Sequence, residues 1–103
     1  MLHEINLRSS KRDEMIDITS QVQRIIAQEA VLDGLAVVYA AHTTAGITIN
    51  ENADPDVTKD LLRRLDEVCP WDMAADRHGE GNSAAHLKAS MVCASQAVII
   101  RNG

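Results

Sequence analysis

LAVVYAAHTTAGITINENADPDV, residues 35–57, sets two kinds of pattern side by side. Its first seven residues are a continuous β-prone apolar run, the pattern of a strand covered on both faces. HTTAG then interrupts the run, and ITINE follows, with Ile47 and Ile49 alternating against Thr48 and Asn50 as in a half-exposed strand. Two strands joined by a short Thr- and Gly-bearing turn are the expectation. Asp54 before Pro55 marks a helix start, because the carboxylate accepts orphan N–H groups while Pro has none to lose at the first position. From there Val57, Leu61, Leu62, Leu65 and Val68 recur at three and four residues, and Pro70 closes the helix.

Working outward, HEINLRS (3–9) alternates polar Glu4, Asn6 and Arg8 with Ile5 and Leu7, which predicts an exposed strand. MIDIT, beyond the charged turn SSKRDE, predicts its hairpin partner. Thr19 or Ser20 can cap a helix over residues 20–33, with Val22, Ile25, Ile26 and Leu32 on one face and Gly34 as its stop. WDMAADRHGEGNS (71–83) has no periodicity and predicts a loop, and a loop of this length in a compact domain is often functional. AAHLKASMV predicts a short helix and QAVII a strand. RNG has the composition of a hairpin turn leading onward, which leaves the sheet unfinished at Gly103. The expected class is α+β.

The totals bound the function. One hundred and three residues make one small domain with a modest core, and an aromatic content of 2% means that core is Val, Ile, Leu, Ala and Met. Scarce aromatics disfavour base stacking, and a formal charge of −5 without a Lys/Arg run argues against nucleic acid or an anionic membrane as partner. Cys69 and Cys93 lack CxxC spacing and read as reduced thiols. No apolar segment is long enough to span a bilayer, and MLHEINLRSS lacks the apolar centre of a signal peptide, so a cytoplasmic protein is expected.

Chemistry-bearing residues concentrate in two places. His42 lies at a strand end, His78 in the loop and His86 at the start of a helix; with Glu51, Asp54 or Glu80 they supply donors suited to zinc or another first-row metal. Their separations match no metal motif, so ordinary hydrogen-bonding histidines are an equal alternative. Gly79–Ser83 approaches a helix N-terminus whose free N–H groups favour anions, and Lys88 one turn on can add charge to a phosphate or stay solvated. Asn82 or Ser83 as a plain N-cap explains the same pattern. Thr43 and Thr44 can orient a substrate or bond the turn backbone, and Glu51 and Asp56 near a helix start gain from its dipole without any function.

HTTAGITINENADPDV together with RHGEGNSAAHLKAS resembles the YjbQ-like family, also called secondary thiamine-phosphate synthase enzymes, across essentially the whole chain. The resemblance implies a single YjbQ-like domain over residues 1–103, an α+β sandwich of mixed sheets with flanking helices, and assembly as a homotrimer with the polar motifs meeting in a pocket. His42, Thr43, Thr44, Asn50 and Glu51 match the first motif, and His78, Asn82 and His86 the second. Family members continue past the equivalent of Gly103 through Gly-Thr-Trp-Gln and Asp-Gly-Pro-Arg stretches, so the C-terminal strands and a candidate phosphate-binding Arg are expected to be missing. Cys93 stands where the family usually has Gly, which implies local rearrangement at a tight approach.

The activity implied is a thiamine-phosphate synthase-like transferase, joining a hydroxymethylpyrimidine diphosphate to a thiazole phosphate with release of pyrophosphate. His42, Glu51 and His86 are then the catalytic candidates. A divalent metal, Mg or Zn, is expected on Glu51 or on His42, His78 and His86, and Thr43, Thr44, Asn50, Asn82 and Lys88 are expected to hold a small phosphorylated molecule. The alternative is a trimeric protein that binds a metal or phosphometabolite without efficient catalysis. An open sheet edge adds a third expectation, association with a neighbouring chain.

Overall fold

A computed structural model describes residues 1–103, and it contains three helices and one two-stranded sheet: α1 (Thr19–Gln28), β1 (Gly34–Tyr39), α2 (Pro55–Val68), α3 (Ser83–Val92) and β2 (Ser95–Ile100). The α+β class is as expected. The Ala40 N–H donates to the Ala94 carbonyl at one end of the sheet, and the Gly103 N–H to the Leu32 carbonyl at the other. The two strands therefore run antiparallel. Backbone proximity groups the chain into two compact units, Met1–Ala36 with Ile99–Gly103, and Val37–Val98.

In the first unit, α1 begins at Thr19 with Ile18 as its N-cap, and the Asp17 carboxylate accepts from the Thr19 N–H at 2.9 Å. The capping oxygen thus comes from Asp17, which lies before the Thr and Ser the sequence suggested. The helix also ends before Gly34. Ala30 takes φ 55°, while the Val31 N–H reaches the Ile26 carbonyl and the Ala30 N–H the Ala27 carbonyl. These two bonds are the Schellman arrangement, with alanine in the left-handed position glycine usually holds. His3 Nε2 lies 2.7 Å from Glu29 Oε1.

In the second unit, Asp54 caps α2 as expected: its Oδ1 accepts from the Asp56 N–H at 2.9 Å, and Pro55 is the first helical residue. Val57, Leu61, Leu62 and Leu65 are half-buried along one stripe, while Val68 is exposed. Lys88 Nζ on α3 donates to Asp66 Oδ1 on α2 at 3.0 Å, and the Cys69 thiol lies 3.5 Å from Met91 Sδ. Only Cys69, Ala84 and Ile100 in the whole chain are buried hydrophobic residues.

Three expected strands do not form: residues 3–9 and 47–51 have no regular secondary structure, and MIDIT (15–19) is irregular up to Thr19, where α1 begins. Alternation defines which side of a segment is apolar, whereas a strand also needs a neighbour for its backbone. The Ile47 N–H donates to the Cys93 carbonyl at 2.9 Å and the Gln96 side chain donates to the Ile47 carbonyl at 3.2 Å. Residue 47 is thus held by the end of α3 and by a side chain, with no ladder. Both cysteines are free thiols, Cys69 buried and Cys93 exposed.

Gly46 and Cys93 meet at a tight point of the second unit. A Cβ on Gly46 would stand 2.9 Å from the Cys93 carbonyl oxygen and 3.0 Å from Val92 Cγ1, so only glycine fits. Cys93 itself adopts φ 86°, ψ 152°, a backbone region used almost solely by glycine.

Candidate functional site

The second expected motif forms a structural cluster. Residues 69–82 are irregular, with turns closed by the Asp76 N–H on the Met73 carbonyl and the Gly81 N–H on the His78 carbonyl, both at 3.0 Å. Gly81 takes φ 69°, which lets the chain reverse into α3. This reversal brings His78 to His86, on the first turn and a half of the helix. Their rings lie 5.2 Å apart, edge to face at 87°. An open cleft of about 500 Å³ lies along the same loop, lined by Trp71, Asp72, Met73, Ala74, Asp76, His78 and Gly81. Trp71 and the two aspartates escaped the sequence reading; a lone Trp beside loop carboxylates carries no spacing signal that would have marked them.

Asn82 is the N-cap of α3, as one of the expectations had it, but through its backbone. Its carbonyl accepts from the Ala85 and His86 N–H groups, and its side chain makes no capping bond. Asn82 Oδ1 is buried without a hydrogen-bond partner. A buried, unpaired amide oxygen is costly to leave in place, and it lies where the helix presents uncapped N–H groups.

The first motif behaves differently. His42 Nδ1 accepts from the Thr44 N–H at 3.0 Å and lies 2.9 Å from the Thr44 hydroxyl. A backbone N–H can only donate, so Nδ1 is the acceptor and a neutral ring carries its proton on Nε2. Metal ligation through Nε2 would need that proton moved to Nδ1, at the cost of the Thr44 N–H bond, and ligation through Nδ1 would displace Thr44. Thr44 thus bonds its own turn, and Thr43 is exposed beside it. Asn50 Oδ1 accepts from the Glu51 N–H at 2.7 Å, and Glu51 is exposed.

Of the expected ligand set His42, His78 and His86, the structure joins the last two. No three His, Cys, Asp or Glu side chains converge in a group able to hold a metal ion. The residues present do not fit a metal centre of the expected kind. Lys88, expected to face a phosphate, instead lies mostly buried against Asp66.

A family model described as "UPF0047 protein YjbQ-like" matches residues 3–103. The chain belongs to the YjbQ family. It is 58% identical over 103 residues to the Bacillus subtilis UPF0047 protein YugU, a match that covers the whole chain and 78% of YugU. The Methanocaldococcus jannaschii UPF0047 protein MJ1081 is 47% identical over 105 residues, covering the whole chain and 74% of MJ1081. Among solved structures, a YjbQ/UPF0047 protein from Clostridium acetobutylicum superposes with a TM-score of 0.89 at 54% identity, over 93% of this chain and 74% of that one. A protein from Sulfolobus solfataricus gives 0.87 at 26% identity, over 93% and 70%.

These relatives correct the expected activity. The Clostridium protein is described as an uncharacterized conserved protein and the Sulfolobus protein as one of unknown function, and YugU and MJ1081 are described only as UPF0047 proteins. The transferase expectation had come from the family resemblance alone. In this chain the His42 Nδ1 accepts from its own turn, Glu51 is exposed and Lys88 is ion-paired with Asp66. No helix is long and apolar enough to cross a membrane.

Proposed function

We propose that the YjbQ-family chain binds a small phosphorylated molecule where the 71–82 loop enters α3. The observation that carries this reading is the contact of His78 and His86 beside the uncapped start of that helix. Two imidazoles supply N–H groups that can donate to phosphate oxygens, and the helix start supplies backbone N–H groups and the positive end of its dipole. Trp71, Asp72 and Asp76 along the cleft give the rest of such a molecule an aromatic surface and hydrogen-bond acceptors for hydroxyl or amino groups.

Isothermal titration with inorganic phosphate and with small phosphate monoesters, against both the unaltered protein and His78→Ala, tests the reading. The monoesters are expected to bind more tightly than phosphate alone, and His78→Ala to weaken them about tenfold, the loss of one charge-assisted hydrogen bond. Equal heats from the two proteins, or no saturable heat at millimolar ligand, would sink it.

A further inference from the structure

The cleft beside the proposed phosphate site carries charge of the wrong sign for phosphate. Asp72 and Asp76 line it, and no Lys or Arg does. Along the loop from Trp71 to Asn82, the carboxylates of Asp72, Asp76 and Glu80 are set against one cation, Arg77, in a chain whose formal charge is already −5. A phosphate monoester carries about −1.5 to −2 charge near neutral pH, so a ligand with no other charge is repelled by the wall next to its own binding groups. A positive group on the same molecule reverses the sign of that interaction.

The rest of the wall suits a positive group as well. The chain holds no Phe, one Tyr and one Trp, and that Trp is among the residues lining the cleft. Trp71 is half-buried and directly precedes Asp72. An indole face attracts cations through its quadrupole, and quaternary ammonium groups are recognised by aromatic faces in this way. Met73 and Ala74 add apolar surface for the carbons around such a group. His78 belongs to the same lining and touches His86, so the groups suited to an anion and those suited to a cation share one cleft of about 500 Å³. All of them lie within the compact unit Val37–Val98.

We propose that the small phosphorylated molecule bound here is a zwitterion, a phosphate monoester whose alkylammonium group is held by Trp71, Asp72 and Asp76. This rests on the reading of His78, His86 and the start of α3 as the phosphate site. It adds that the loop carboxylates are selective: they disfavour purely anionic monoesters and favour those whose second charge is positive. Both aspartates are exposed, so solvent screens them and the selectivity expected is about tenfold.

The test compares two probes of the same shape, phosphocholine and neohexyl phosphate, in which carbon replaces the quaternary nitrogen. Isothermal titration at about pH 8, where both phosphates are ionised, gives the affinities. Trp71 is the only indole of the chain, so its emission reports occupancy of the cleft. Phosphocholine is expected to bind about tenfold more tightly, and the double substitution Asp72→Asn, Asp76→Asn to reduce that ratio to about threefold or less. His78→Ala should weaken both probes and leave the ratio in place. Should the doubly substituted protein lose its helical circular dichroism, salt decides on the unaltered protein: raising sodium chloride from about 20 to 500 mM should shrink the ratio to about threefold or less. Equal affinities for the two probes overturn the inference and leave the phosphate site standing, whereas no saturable binding of either removes both. A tenfold preference that survives the double substitution or high salt overturns the inference, and so does saturable heat with the Trp71 emission unmoved.

Discussion

Replacing Cys93 by glycine should make the protein more stable. The residue sits at φ 86°, ψ 152° immediately after α3, and its carbonyl oxygen takes the Ile47 N–H and lies where a Cβ on Gly46 would meet it. The backbone there is fixed from both sides. Holding a side chain in this region costs about 1–3 kcal/mol, which glycine does not incur. Glycine brings a loss of its own, about 0.5–1 kcal/mol of extra unfolded-chain entropy. The thiol gives up little, since Cys93 is exposed and its sulfur is 3.9 Å from the Met91 carbonyl. The net gain for Cys93→Gly is about 0–2.5 kcal/mol, centred near 1 kcal/mol. In a domain of this size each kcal/mol moves the melting midpoint by about 4–8 °C. Urea denaturation under reducing conditions, followed by far-UV circular dichroism, measures it directly. Cys93→Ala is the control: it removes the thiol and keeps the Cβ, so its midpoint should stay within about 0.5 kcal/mol of the parent. A Cys93→Gly midpoint below the parent would refute the reasoning, and so would an equal rise in Cys93→Ala.

Ala30→Gly should stabilise by about 0.5–1 kcal/mol in the same assay, because Ala30 occupies the left-handed position of the Schellman turn that ends α1. Gly46→Ala should cost about 1–3 kcal/mol, the expense of forcing a Cβ to within 2.9 Å of a backbone oxygen, and a neutral result would mean that the approach to Cys93 is looser than that separation implies. Asp54→Ala should cost about 1 kcal/mol through loss of the α2 cap, with Asp54→Asn retaining most of it; equal losses in the two would separate the effect from capping.

The sequence was most informative where one local rule had no competitor. Asp54-Pro55 fixed the start of α2, and the apolar stripe from Val57 to Leu65 fixed its buried side, because capping and periodicity act within a few residues. The start of α3 at Asn82–Ser83 was legible for the same reason. Strand pairing was less so. ITINE and HEINLRS alternate as strands do, but alternation does not name a partner, and in the structure neither has one. The early end of α1 was hidden because alanine gives no sign that it will adopt a positive φ. The family resemblance did supply one detail no local rule could have: the residue at position 93 occupies a glycine-type conformation.

The candidate site divides along the same line. His78 and His86 are eight positions apart, and a turn ending in Gly81 brings them into ring contact. The His42 Nδ1 is taken by Thr44 two residues on, an interaction residue type alone could not reveal. Lys88 shows the competition most plainly, because the charge expected to meet a phosphate is met by Asp66 from the neighbouring helix.

The most direct test of the central claim is an NMR titration of the isotopically labelled protein with a small phosphate monoester. The account predicts saturable shifts in the Gly81, Asn82, Ser83 and Ala84 amides and in the ring C–H signals of His78 and His86, with the His42 ring signals unmoved. Shifts centred on His42 and Glu51, or none at saturating millimolar ligand, would contradict it.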